Sequence, residues 1–187
     1  MSICLTAYML ELEKLDSILG SSAIDQDLQE RLQQYAGNQQ RMFVGQDFAL
    51  LVEQSAFRLL AGEFANAAHD DLILEGFEAV CAVIGVPIGV GPFAGCRFEL
   101  FEECGQTGEW LAARGCPISK VATASDIYRQ MGYIRHSEMP GLLAEVTSRI
   151  DGTDDIVETE VMDAWETLED WFTKGIDRKL DIISFQH

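Results

Sequence analysis

The stretch from Val157 to Phe172 constrains this chain more than any other, because Val157, Val161, Ala164, Trp165, Leu168, Trp171 and Phe172 recur at helical spacing. Acidic residues fill most of the positions between them. A segment of this kind is stable only as a helix that buries one face in a core and leaves the other in water. Gly175 is expected to end the helix, and Leu180 to Phe185, with Ile182 and Ile183, reads as a strand. Ile3 to Met9 has the same strand-forming composition, so the two ends of the chain are expected to pair in one sheet.

Between these ends the pattern is mostly helical. Leu12, Leu15 and Leu19 take helical spacing up to Gly20. Ser22 and Asp25 are cap candidates for a second helix, which carries Leu28, Leu32 and Tyr35 on one face and is expected to break at Gly37 and Asn38. Gln39 to Gly45 reads as a polar loop. Phe48, Leu51, Val52, Ser55 and Leu59 make a third inward stripe ending at Gly62, and a fourth helix is expected from Asp70 or Asp71 through Phe77, Val80, Cys81 and Ile84. Six Gly and Pro residues within Gly85 to Gly95 then predict a loop. Short segments follow at Arg97 to Glu103 and Glu109 to Ala113, and Cys116-Pro117 closes that region. Tyr133 and Ile134 predict an extended piece. Ser137 is expected to cap a helix with Pro140 in its first turn and Leu142, Leu143, Val146 and Ile150 inward. The expected fold is α+β: a single domain over residues 1–187, mostly helical, with a small sheet that includes the N- and C-terminal strands.

Composition narrows the class of function. A chain of 187 residues with 48% hydrophobic and 24% charged residues can bury its own core without cross-links. The five cysteines are odd in number and scattered, with no histidine at ligand spacing, which predicts free thiols and no metal. The opening residues have no basic segment and meet Glu11 and Glu13 at once, so no secretory signal is read there. No apolar run approaches the length of a membrane span. A cytoplasmic location is the expectation. With 31 acidic residues against 13 basic ones the net charge is -18, which repels nucleic acid backbones and favours encounter with a basic protein.

Catalytic motifs are absent from the sequence. The glycines of Gly85 to Gly95 are followed by no Gly-Lys-Ser/Thr and form no dinucleotide fingerprint, so no cofactor is expected. There is no nucleophile elbow, and His69 beside Asp70 and Asp71 reads as part of a helix start. Cys81 lies on an apolar face and reads as packing. Arg97 beside Cys96 and Arg114 near Cys116 are the arrangements that could lower a thiol pKa. Asp151 to Asp155 lacks the spacing of a calcium loop.

Several short motifs resemble small bacterial proteins of unknown function related to the YfbM-like fold group. They are Leu5-Thr6-Ala7-Tyr8, Leu59-Leu60-Ala61-Gly62, Cys81 with Gly85, Arg114-Gly115-Cys116-Pro117, Gly132-Tyr133-Ile134 and Ile183-Ser184-Phe185-Gln186-His187. The resemblance implies an α+β fold with helices around a small sheet, and carries no catalytic residues.

Two surfaces remain as candidate sites. Nine of the twenty residues from Asp151 to Asp170 are acidic and none is basic, although interspersed lysines would stabilise such a helix. At 100° per residue Asp155, Asp163, Glu166 and Asp170 lie opposite Val161, Trp165 and Leu168, which predicts a patch for a basic partner. The leading expectation is a non-enzymatic interaction protein, such as an immunity protein or antitoxin-like inhibitor of a basic toxin. The alternative is a small-ligand-binding protein or enzyme with a cleft near Gly85 to Gly95, lined by Tyr133, Arg135 and His136.

Overall fold

The structure is a computed structural model that describes residues 5–21, 26–39, 46–64, 72–90, 104–122, 131–152 and 159–186. The chain divides into two compact units, each assembled from separated stretches of sequence.

The first unit comprises residues 1–11, 87–115 and 128–187 and holds the sheet. Its strands are β1 (Leu5–Leu10), β2 (Val86–Val90, whose first residue falls in the second unit), β3 (Met131–Ile134) and β4 (Asp181–Gln186), in the spatial order β2-β1-β4-β3. The C-terminal strand is therefore internal. It pairs antiparallel with β1, from Leu5 opposite Gln186 to Leu10 opposite Asp181, and on its other side with β3, from Met131 opposite Phe185 to Ile134 opposite Ile182. This register puts Leu5, Ala7, Met9, Ile134 and Ile182 on one face, where they join the hydrophobic core. Tyr8 and Phe185 fall on the opposite face and meet edge to face at 6.1 Å.

Three helices complete this unit among the described residues. In α8 (Thr159–Arg178) the residues Val161, Ala164, Trp165, Leu168, Trp171 and Phe172 are all buried, as the helical period requires. It packs with α7 (Met139–Asp151) through Met139, Leu142 and Val146. The third helix, α5 (Gly105–Ala113), lies against the sheet where side chains are small. A Cβ on Gly132 would overlap the carbonyls of Trp110 and Leu111, and the Ser184 hydroxyl donates to the Leu111 carbonyl at 2.6 Å. Glycine and serine let backbone approach backbone there.

The second unit comprises residues 12–86 and 116–127. Its helices are α1 (Leu12–Ile18), α2 (Gln26–Gln39), α3 (Gln46–Ala61), α4 (Ile73–Ile84) and α6 (Ser119–Ala122). Helices α3 and α4 cross where Gly76 faces Ser55; a Cβ on Gly76 would come within 2.7 Å of the Ser55 side chain. The turns after α1 and α3 also touch, with Gly20 N–H donating to the Leu59 carbonyl at 3.2 Å. Both Gly20 and Gly62 have positive φ there, a conformation that a side chain would strain.

Several boundaries differ from the sequence expectations. The second helix continues through Gly37, whose added Cβ would meet nothing within 4 Å, to Gln39. Leu51 is 46% exposed and Phe48 only partly covered; Val52, Ser55 and Leu59 face inward as expected, joined by Ala49, Ala56 and Leu60. Part of the expected Gly85 to Gly95 loop is strand β2, because pairing with β1 supplies hydrogen bonds that local composition does not announce. Glu138 rather than Ser137 is the cap residue of α7. The last helix passes Gly175, which is packed against Met139, and stops where Lys179 takes a φ of 55°. Ile3, Ser22, Asp25, the Gln39 to Gly45 loop beyond Gln39, Asp70, Asp71, the remainder of the glycine loop, Arg97 to Glu103 and Val157 lie outside the described residues. No helix among the described residues is long and apolar enough to cross a membrane.

Candidate functional site

The predicted ligand residues Tyr133, Arg135 and His136 stand at the end of β3 and in the turn that follows it. What organises them is Arg114. It lies four residues after Trp110, so the two share the end of one helix face, and the guanidinium sits 4.0 Å from the Trp110 ring centroid. Its centre is also 4.3 Å from the Tyr133 ring, which joins α5 to β3. Gly115 then turns the chain with a φ of 94° while its N–H donates to the Met131 carbonyl at 3.0 Å.

The arginine charge is met by Glu138. Two parallel hydrogen bonds, both 2.7 Å, run from the Arg114 guanidinium to the two Glu138 carboxylate oxygens. About a quarter of each side chain remains open to solvent, at 22% and 26%. Glu138 Oε2 also accepts the Arg135 N–H at 2.9 Å. Hydrogen bonding to Arg114 holds the Glu138 carboxyl below its ordinary range despite the opposing effect of burial, with the Arg135 amide and both arginine charges adding to the shift. The same hydrogen bond raises the Arg114 pKa, again against burial.

One residue further along, Asp181 at the start of β4 receives His136 twice on a single oxygen. The His136 N–H donates to Oδ1 at 2.8 Å, and the ring Nδ1 lies 3.1 Å from the same atom. The imidazole side chain is half exposed while Asp181 is largely covered. Arg135 is exposed, and its guanidinium centre lies 5.9 Å from the Tyr133 ring. The structure thus brings Tyr133, Arg135 and His136 together in one short, doubly anchored segment. Trp110, Arg114, Glu138 and Asp181 belong to the same place and were not expected there. The Trp110/Arg114 spacing was a visible signal; the carboxylates, brought in by tertiary contact, had none.

The acidic surface is arranged differently. Asp163, Glu166 and Asp170 are exposed on one side of α8, opposite its buried stripe. Asp170 forms a 2.5 Å ion pair with Lys174, while neither Asp163 nor Glu166 has an ion-pair partner among the described residues. Glu169, on the flank, accepts the Thr147 hydroxyl at 2.9 Å. Asp155 lies outside the described residues.

The thiols need a correction. Burial pushes Cys116 up to about 12, against a smaller opposing effect from its contact with the Ile118 carbonyl, so Arg114 does not make it a thiolate. Cys81 is fully buried and raised by that burial first, then by Cys116 and Glu78. Cys81 and Cys116 are free thiols. Cys96 lies outside the described residues, and no cluster among those described could hold a metal ion.

Comparison with known proteins returns a single kind of likeness. The model of a family described as a domain of unknown function, DUF7691, matches residues 1–187. No curated protein matches the chain, and no solved structure matches it.

Proposed function

We propose that this chain, which belongs to the DUF7691 family of unknown function, is an acidic, non-enzymatic interaction protein that uses the outer face of α8 to hold a basic protein partner. The carrying observation is that Asp163, Glu166 and Asp170 form one exposed row while the opposite side of the same helix is fully occupied by the core. Neighbouring like charges at helical spacing each cost a few tenths of a kcal/mol, and lysines at some of these positions would remove that cost without touching the core. An arginine- or lysine-rich surface would be attracted from a distance and oriented on arrival. Cytoplasmic action as an immunity or antitoxin-like inhibitor of a basic toxin is the finer form of this reading, as is kinship with the bacterial YfbM-like group.

The test is association kinetics with a partner captured from native lysate and identified. The Asp163→Asn, Glu166→Gln, Asp170→Asn triple variant should associate at least about tenfold more slowly at low salt and lose most of its salt dependence. An unchanged rate and unchanged salt slope would reduce the row to a solvated helix face.

A second reading, a small-ligand site, is favoured by the double anchoring of the Arg135-His136 turn by Glu138 and Asp181.

A further inference from the structure

Around Arg114 the walls of the corner converge on one side-chain head. The guanidinium centre lies 4.0 Å from the Trp110 ring centroid and 4.3 Å from that of Tyr133, and both Glu138 oxygens accept from it at 2.7 Å. The Tyr133 carbonyl accepts a further bond from Nη1 at 3.3 Å. Each wall is also held by contacts that do not involve Arg114. Trp110 packs against the hydrophobic core, and its carbonyl lies where a Cβ on Gly132 would come within 2.1 Å. Tyr133 is fixed in β3 opposite Ile183 of β4, and Glu138 Oε2 accepts the Arg135 N–H at 2.9 Å. Since about a quarter of the Arg114 side chain faces solvent, the place it fills can be reached from outside.

We propose that Trp110, Tyr133 and Glu138 form a preassembled receptor for a guanidinium group, filled in cis by Arg114, which thereby latches the end of α5 to β3 and to the start of α7. Two parallel bonds to one carboxylate need a planar fork, and contact with two rings favours a flat, weakly hydrated cation. A guanidinium meets both demands and an ammonium meets neither. The Glu138 carboxylate and the net charge of -18 both favour a cation here. Because the head of Arg114 makes these contacts rather than its stem, a free guanidinium ion should replace it. A tethered group acts at an effective concentration on the order of millimolar or more, so the free ion is needed at roughly tens of millimolar. This site is separate from the α8 row and does not rest on the partner reading.

The experiment is chemical rescue of Arg114→Ala in an Arg135→Gln background, which removes the neighbouring guanidinium 5.9 Å from the Tyr133 ring. The folded fraction is read by circular dichroism at the urea midpoint of that variant, or without urea should the variant be largely unfolded. Guanidinium chloride up to about 50 mM should raise the folded-to-unfolded ratio about threefold, the gain for a ligand at twice its Kd. Any salt screens the self-repulsion of so acidic a chain, so methylammonium chloride at the same concentration sets the baseline. Adding Glu138→Gln should abolish the gain, and the Arg135→Gln protein with Arg114 in place should show none. In a separate measurement Arg114→Lys should lower the urea midpoint at least half as far as Arg114→Ala does. Rescue no better than that by methylammonium, rescue that survives Glu138→Gln, or an Arg114→Lys protein with the wild-type midpoint would each overturn the assignment.

Discussion

The corner around Arg114 and the outer face of α8 are both rich in charge, yet they use it in opposite ways. At the corner a carboxylate and a guanidinium are taken three-quarters out of water and matched by two 2.7 Å hydrogen bonds, and the guanidinium also lies over the Trp110 and Tyr133 rings. On α8 like charges stand in water at helical spacing, and Lys174 relieves only Asp170. Charge that is partly desolvated must be paired or it destabilises; charge in water is tolerated unpaired because solvent screens it. The first arrangement is therefore architectural, and the second is the face proposed above for a partner.

Substitutions at the two regions should separate most strongly in stability. Arg114→Ala removes the ion pair and two ring contacts together and leaves Glu138 partly buried, so a loss of about 3 kcal/mol is expected in urea unfolding. A loss below about 0.5 kcal/mol would mean that solvent screens the corner as well as it does the helix face.

A smaller and more diagnostic effect lies in pH. Glu138 has a folded-state pKa below its unfolded value, so its contribution is present above the unfolded carboxylate range, near 4.3, and is lost as pH falls through the lower folded value. The stability difference between wild type and Glu138→Gln, about 1 to 2 kcal/mol at neutral pH after allowance for the exposed quarter, should shrink towards zero below about pH 4. A difference that stays constant down to pH 3 would contradict the charge-assisted bond.

The smallest change is expected on α8. The triple variant used for binding should unfold within about 0.5 kcal/mol of wild type, since relief of repulsion offsets loss of the Asp170–Lys174 pair. A destabilisation above 1 kcal/mol in thermal or urea unfolding would show that these carboxylates support the fold.

The same two regions differ in how plainly they could be read from the chain. The α8 face was legible because residues three and four apart share a helix surface whatever surrounds them. The terminal strands were legible too: Ile3 to Met9 and Leu180 to Phe185 become β1 and β4 with their ends shifted by one or two residues, within the described range. The Arg114–Glu138 pair spans 24 residues and His136–Asp181 spans 45, distances over which local pattern says nothing. Strand β2 was hidden for a related reason. Val86-Pro87-Ile88-Gly89-Val90 has turn-forming composition, and only its place beside β1 makes it a strand.

By itself the sequence determined the α+β class, the buried stripe and acidic back of the last helix, and the strand character of the two chain ends. Each follows from side-chain periodicity acting over one or two turns of helix or a few residues of strand. Tertiary structure alone decided that β4 is an internal strand between β1 and β3, that Arg114 is clamped by Glu138, and that Asp181 turns the His136 ring. Those outcomes depend on which backbone segments come within about 3 Å of one another, and hydrogen bonds fall off too steeply with distance for linear order to specify them.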